Sequence, residues 1–259
     1  MHKTNHPNAE SPGTELQKSG TELPKSETQL PKPNDDYPES LAIQASERFQ
    51  WHWEEITIAG ELRKLAVASD PEGMLIDACE RQDAGEEGVI DPFWATTWRA
   101  AAGLDHYLAE LSLTDLRVLE LGCGTGHAGF AAACRGSRVV LTDGVTDPLL
   151  LVKMSTWKLR ERCEIRQLRF GIDRIEGPGF PLILGSDITY LRTLWPELDQ
   201  CLREHLAEGG QILLSDPYRI IANEFREWIQ ERGWAYSEHK IDMKDDATHP
   251  IRIMRLEAK

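Results

Sequence analysis

The chain has 259 residues, a formal net charge of −14 and five cysteines. This length fits one sizeable α/β domain with an appendage, since a single core usually serves up to about 250 to 300 residues. The charge disfavours tracking along nucleic acid, because phosphate backbones are bound through clustered Lys and Arg, and it weakly favours a cationic partner. No apolar run approaches the roughly 18 to 20 residues of a membrane span. The odd, scattered cysteines predict neither disulfides nor a metal site, so we expect a cytoplasmic protein.

The first part of the chain contains a near-repeat of seven residues, TELQKSG, TELPKSE and TQLPKPN, at positions 14–34. The period would suit a coiled coil, but Pro24, Pro31 and Pro33 interrupt any continuous helix. We therefore predict that residues 1–36 form a disordered tail.

Residues 37–92 are predicted to form a small N-terminal β-hairpin extension. Alternation places Phe49, Trp51 and Trp53 on one face, and Gly60 separates this run from a second apolar run. A polar loop then leads into the rest of the chain.

Residues 93–259 are predicted to form one α/β domain. Trp94 and Trp98 open a pattern of helical spacing, and beyond it strand-like runs alternate with helical stripes. This alternation is typical of a parallel sheet covered by helices on both faces. The predicted parallel strands are LRVLELG, SRVVLTD, CEIRQLRF, FPLILGSD and QILLSD, followed by the antiparallel pair WAYSEHKID and IRIMRL. The predicted fold is therefore Rossmann-like, with a seven-stranded, mostly parallel sheet and a C-terminal antiparallel hairpin.

Two helix boundaries are predicted from local signals. Asp147 followed by Pro148 indicates a helix start, with the aspartate as cap and proline at the first position. Gly209 and Gly210 are predicted to end the helix before the fifth strand.

A glycine-rich turn follows the first predicted strand, in VLELGCGTGHAG. Gly122, Gly124 and Gly126 lack side chains, which lets the backbone approach a ligand at the carboxyl edge of the sheet. Gly124, Gly126 and Gly129 also satisfy the GxGxxG dinucleotide fingerprint, with Asp143 as its acidic residue. The turn alone therefore leaves open whether the cofactor is a dinucleotide or S-adenosylmethionine.

Three further side chains bear on the cofactor. Glu120 favours S-adenosylmethionine, because its carboxylate would meet the ammonium group of that cofactor and would repel a pyrophosphate. Asp143, at the end of the second predicted strand, would accept hydrogen bonds from both ribose hydroxyls, or it serves only as a turn residue. Phe170 would cover the adenine ring, or it belongs to the core.

The fourth predicted strand is followed by a carboxylate and a phenol, Asp187 and Tyr190. We predict both as catalytic residues of the acceptor site, because an amine acceptor must lose a proton before it attacks a methyl group and these groups would orient it. Asp187 lies beside the cofactor edge, so we also predict it as a cofactor-binding residue. The alternative for Asp187 is a helix cap.

The motifs VLELGCGTG, L-R-F-G, D-I-T-Y and P-F-W-A-T-T-W resemble those of class I, seven-β-strand protein-lysine methyltransferases. That family includes the enzyme acting on the electron-transfer flavoprotein β subunit and bacterial nicotinamide N-methylase-like relatives. The resemblance runs from about Trp51 to the C-terminus. It implies a D-x-x-Y element at Asp187 and Tyr190, and a tryptophan, Trp98, lining the cofactor pocket. Tyr218 stands where bacterial relatives have glycine in D-P-G-R, which would narrow the acceptor entrance.

The leading hypothesis is transfer of a methyl group from S-adenosylmethionine to a protein lysine, and most of its support comes from the resemblance. A small amine acceptor, such as a pyridine, is the second, and a closed aromatic pocket would favour it over an open groove. A catalytically inactive binding module and a nicotinamide-dependent oxidoreductase are weaker alternatives.

Overall fold

The structure, a computed structural model, describes residues 37–244 and 246–259, so the tail predicted at residues 1–36 lies outside it. The helices of this part are α1 (Glu39–Ser46), α2 (Pro71–Asp83), α3 (Arg99–Leu108), α4 (His127–Cys134), α5 (Thr146–Ser155), α6 (Trp195–His205) and α7 (Ile220–Glu231). Its strands are β1 (Trp51–Ile58), β2 (Glu61–Ala68), β3 (Arg117–Leu121), β4 (Arg138–Asp143), β5 (Cys163–Gln167), β6 (Phe180–Ser186), β7 (Leu206–Asp216), β8 (Trp234–Ile241) and β9 (Ile251–Ala258). Within these ranges, no helix has the length and apolar character needed to cross a membrane.

The main sheet has seven strands in the order β5-β4-β3-β6-β7-β9-β8. Strands β3 to β7 pair in parallel, whereas β9 is antiparallel to both β7 and β8. The predicted fold class is therefore confirmed. Because the chain winds from β3 to β4 on one side and later returns to β6 on the other, the carboxyl ends of these strands form the crevice where ligands bind in such sheets.

Successive residues of the central strands enter two different cores. Val118 belongs to the core beneath α3 and α4, whereas Leu119 belongs to the core beneath α6 and α7. Side chains alternate along a strand, so Glu120 lies on the same face as Val118, towards α4. The Glu120 side chain can therefore contact α4.

Strands β1 and β2 form an antiparallel hairpin in register from Trp51 opposite Ala68 to Ile58 opposite Glu61. At its turn, the backbone N–H of Ala59 donates to Asp105 Oδ2 of α3 at 3.0 Å. A buried serine of α5, Ser155, accepts at 2.9 Å from the N–H of Ala66. These bonds attach the hairpin to helices α3 and α5.

The predicted helix at Trp94 begins later than the spacing indicated. Residues Phe93–Ala95 form a short 3-10 turn, and α3 begins only at Arg99. Trp98 has an extended backbone, and its indole Nε1 donates to the carbonyl of Phe93 at 2.9 Å. The two tryptophans therefore belong to a folded-back segment before the helix.

The other two predicted boundaries are also wrong. Asp147 does not cap α5, which begins at Thr146; its carboxylate instead pairs with Arg48 at 2.5 Å. Gly209 and Gly210 lie inside β7, whose register against β6 shifts before Gln211. The glycines mark this irregularity, because a side chain at Gly210 would come within 3.0 Å of the Phe180 carbonyl.

Candidate functional site

The glycine loop between β3 and α4 forms the floor of the candidate site. Gly122, Gly124 and Gly126 have φ values of 58°, 49° and 77°, a left-handed conformation that other residues rarely adopt. A Cβ atom at Gly122 would lie 2.8 Å from Cγ2 of Ile188, so the loop after β6 packs directly on this turn. Glycine is therefore required both for the backbone conformation and for the contact between the two loops.

Asp143 ends β4 beside this loop and is held by backbone groups. One carboxylate oxygen accepts from the N–H of Gly124 at 2.9 Å, and the other accepts from the N–H of Val145 at 3.0 Å. Burial raises the pKa of its carboxyl group above the ordinary value. A carboxylate offers about four acceptor positions, so acceptor capacity remains for a ligand hydroxyl.

Glu120 lies beneath the loop. It is 1% exposed, and its Oε2 accepts from the N–H of Gly129 in the first turn of α4 at 3.0 Å. Burial raises the pKa of Glu120 to about 8. Its first partner is therefore the helix start, and burial disfavours the charged form of its carboxyl group.

Trp98 and Phe170 lie on different sides of the crevice. The guanidinium of Arg219 lies over the Trp98 ring, 5.4 Å from the ring centroid, and the indole is 36% exposed. Phe170 is half-buried and packs against the core beneath α6. Phe170 thus has a core contact and a partly open face, which is compatible with both functions considered for it.

Asp187 follows β6 directly and is bound by a side chain. Its two carboxylate oxygens accept from Nε and Nη2 of Arg219 at 2.8 and 2.6 Å. The residue is 7% exposed, and its φ of 54° places a non-glycine residue in the left-handed region. Such strain is concentrated at functional sites, where surrounding structure maintains it.

Tyr190 lies close enough to Asp143 and Asp187 for both charges to act on its phenol. Its ring packs edge-on against Phe93 at a centroid distance of 5.6 Å, and the residue is 37% exposed. Burial, together with the charges of Asp143 and Asp187, raises the pKa of its phenol. The structure therefore brings Tyr190 near both ends of the crevice.

Tyr218, which is predicted to narrow the acceptor entrance, packs near the last two strands of the sheet. Its φ is 59°, and the Arg252 guanidinium lies 4.9 Å from its ring centroid. Arg252 is buried and pairs with Asp216 at 2.9 Å. Burial and the charge of Glu238 raise the pKa of the Tyr218 phenol, so its near neighbours belong to the β8–β9 hairpin.

The chemistry of these groups suits a ligand that carries positive charge and vicinal hydroxyls. Asp143 has acceptor capacity for hydroxyls, and Asp187 adds a second carboxylate across the glycine loop. Arg219, the arginine that contacts this site, is neutralised by its pairing with Asp187. S-adenosylmethionine has ribose hydroxyls, an ammonium group and a sulfonium, so these residues fit it better than a dinucleotide pyrophosphate.

Residues 84–231, more than half of the chain, match a family described as lysine methyltransferase. The chain belongs to this family. The match includes strands β3 to β7 and the site residues from Trp98 to Arg219.

Named relatives agree with the match. The protein N-lysine methyltransferase METTL21A of Danio rerio is 37% identical over 46% of this chain and 58% of its own length. The electron transfer flavoprotein beta subunit lysine methyltransferase of Danio rerio is 29% identical over 50% of this chain and 51% of its own length. The chain thus spans between half and three-fifths of the length of these two relatives.

The fold is also found in solved structures. A crystal structure of the glycopeptide N-methyltransferase MtfA complexed with S-adenosylhomocysteine has a TM-score of 0.55 and 14% identity. The similarity covers 62% of this chain and 87% of that one. At this identity the likeness concerns the fold alone.

Arg219 is the site residue to which sequence reasoning gave no role. Its signal was present in D-P-Y-R, the segment that follows β7. The bond to Asp187 joins residues 32 positions apart, and no periodicity or spacing specifies such a pair.

Proposed function

We propose that the chain is an S-adenosylmethionine-dependent methyltransferase that N-methylates a lysine side chain of a protein. The observation that carries this proposal is the pair of buried carboxylates, Asp143 and Asp187, on either side of the glycine loop in a member of the lysine methyltransferase family. The cofactor supplies an activated methyl group on a sulfonium.

In this proposal each residue has a distinct task. Asp143 accepts hydrogen bonds from the ribose hydroxyls, and the glycine loop gives the ligand close access to the backbone. Glu120 holds the start of α4 and lies below the ammonium group of the cofactor. Phe170 supplies apolar surface next to the adenine, and Trp98, which the resemblance assigns to the cofactor pocket, reaches the acceptor side through its contact with Arg219.

Asp187 and Tyr190 act on the acceptor. A lysine amine has an ordinary pKa of about 10.4, so it must lose a proton, which passes to solvent at the open side of the site, before its lone pair attacks the methyl carbon. Asp187 then accepts a hydrogen bond from the neutral amine and directs its lone pair, and Tyr190 covers one side of the amine. No covalent intermediate with the protein is required.

A protein acceptor is favoured over a small amine by the openness of the site. Trp98 and Tyr190 are 36% and 37% exposed, so these aromatic rings border a surface rather than enclose a cavity. A pocket for a small pyridine would bury most of its ligand. A cytoplasmic location belongs to the same proposal and rests on the five free cysteines.

The first test is calorimetric titration with S-adenosylhomocysteine, with NAD in a parallel cell. Binding of S-adenosylhomocysteine alone supports the cofactor assignment. Preference for NAD contradicts the proposal and returns the glycine loop to the dinucleotide class.

The acceptor is tested next with methyl-labelled S-adenosylmethionine. Purified enzyme is added to a lysate, and the labelled fraction is separated into protein and small molecules. Label in a protein band, recovered as methyl-lysine after hydrolysis, supports the proposal. Label confined to small molecules makes the enzyme a small-amine methyltransferase.

A further inference from the structure

At the candidate acceptor site, Arg219 occupies both carboxylate oxygens of Asp187. The guanidinium binds both oxygens of Asp187 side-on, at 2.8 and 2.6 Å, which is the strong bidentate geometry. The carboxylate that would orient an acceptor amine is therefore already occupied by a cation from the same chain.

The same cation also contacts an aromatic face. The Arg219 guanidinium lies 5.4 Å from the centroid of the Trp98 ring. A buried carboxylate combined with an exposed indole face is a combination that binds alkylammonium ions, through charge pairing and cation–π attraction. A lysine ammonium could make the same two contacts, with the Asp187 carboxylate and with the Trp98 ring.

We propose that Asp187 and Trp98 form an alkylammonium-binding site, and that Arg219 is an internal occupant which the acceptor amine displaces. The proposal rests on the proposed function, because it specifies how that function's acceptor is bound. Arg219 neutralises Asp187 while the acceptor is absent, and it leaves when the amine arrives.

The position of Arg219 allows this exchange. Its side chain is 37% exposed, and it stands at the turn between β7 and α7, just outside the helix. Arg252 is the contrasting case, because it is 1% exposed and binds both Asp216 and Asn223. Arg252 is fixed in the core, whereas Arg219 has solvent on one side into which its guanidinium can move.

The exchange is tested with butylammonium, the lysine side chain without its backbone. Butylamine hydrochloride is titrated into the full-length protein saturated with S-adenosylhomocysteine, at constant ionic strength, by calorimetry and by the indole N–H signal of Trp98. Removing the internal competitor in Arg219→Ala should tighten binding at least about tenfold. Arg219→Gln, which keeps the side-chain stem, is the second variant should Arg219→Ala fold poorly.

Arg192→Ala is the matched control. Arg192 is another arginine of this edge, exposed and paired with Glu224 of α7, so its removal should leave butylammonium affinity unchanged. Adding Asp187→Asn to Arg219→Ala should abolish the gain, because the carboxylate is then lost.

The inference is overturned if Arg219→Ala and Arg219→Gln bind butylammonium no more tightly than the wild type. It is also overturned if the gain persists in the double variant. Failure of the proposed function has a different signature, namely no binding of S-adenosylhomocysteine. The butylammonium titration without S-adenosylhomocysteine still reports on the Asp187 site in that case.

Discussion

Two carboxylates stand at the ends of parallel strands on either side of the glycine loop, and they are held in different ways. Asp143 is bound by two backbone N–H groups, from Gly124 and Val145. Asp187 is bound by one side chain, the guanidinium of Arg219. Both residues are buried, so burial alone does not distinguish them.

The difference indicates a division of labour. Backbone donors cannot move without unfolding the loop, so Asp143 is fixed in place for a ligand of constant shape. A partly exposed arginine can rotate away, so the partner of Asp187 is exchangeable. We therefore expect the β4 carboxylate to control cofactor affinity and the β6 carboxylate to control turnover.

The largest expected effect is that of Asp187→Ala on turnover. Loss of the group that directs the amine should lower the methylation rate about a thousandfold, within the usual range for acid–base groups. Affinity for S-adenosylhomocysteine should change by less than about twofold, because Asp143 is intact. Labelled methyl transfer and calorimetry measure the two quantities.

The control for this variant is Asp173→Ala. Asp173 is another arginine-paired carboxylate, half-buried and bonded to Arg169, so its loss should leave both quantities unchanged. If Asp187→Ala weakened S-adenosylhomocysteine binding as much as Asp143→Ala does, the two carboxylates would not have separate tasks.

Asp143→Ala should weaken binding of S-adenosylhomocysteine about a hundredfold. The variant removes two charge-assisted hydrogen bonds to ribose hydroxyls and leaves the N–H groups of Gly124 and Val145 without their partner. Asp70→Ala is the matched control, because Asp70 also accepts from a backbone N–H, that of Gly73, at the start of α2. Unchanged affinity in Asp143→Ala would remove the ribose assignment.

Glu120→Gln should change how stability depends on pH. The folded-state pKa of Glu120 is raised to about 8 from an ordinary value of 4.5. Between these pH values the folded state keeps a proton that the unfolded state releases, so the glutamate lowers the free energy of unfolding as pH rises. This contribution to the slope disappears in the variant.

Between pH 5 and pH 8, the free energy of unfolding of the wild type should fall by about 3 kcal/mol more than that of Glu120→Gln. Urea unfolding at both pH values measures the difference. The exposed Glu55 of β1 gives the control variant Glu55→Gln, which should parallel the wild type. If the stability of Glu120→Gln changes with pH as that of the wild type does, Glu120 is not desolvated in the folded protein.

Much of the fold was predictable because its signals are local. Apolar runs, their turn residues and the short connection before the last strand predicted the sheet and its antiparallel ending, both of which the structure has. Helix α2 also had a local signal, Asp70 followed by Pro71, that was not used. Helix α1 has a weaker one, because Pro38 precedes it without any side-chain cap.

The details of the site were less predictable because they depend on contacts between distant residues. Sequence reasoning placed Glu120, Asp143 and Asp187 at the correct strands, which follows from the common edge of parallel strands. It could not give their partners, since Gly129, Gly124 and Arg219 are chosen by packing across the sheet. The cofactor was inferred from a family motif, whereas the motif that contains Arg219, D-P-Y-R, did not specify its partner Asp187.

The smallest expected effect concerns the strained residue next to Arg219. Tyr218 has a φ of 59°, where a β-carbon costs roughly 1 kcal/mol and glycine costs nothing. Tyr218→Ala and Tyr218→Gly both lose the phenol and its contact with Arg252, so their difference isolates the backbone. We expect the glycine variant to be more stable by about 1 kcal/mol in urea unfolding.

At the exposed helical position Glu227 the order should reverse, with alanine about 1 kcal/mol more stable than glycine. Equal stability of the two Tyr218 variants would mean that the loop carries no strain at this residue. The end of β4 is held by backbone groups, whereas the residues after β6 and β7 are strained. In that outcome, only Asp187 would still support this contrast.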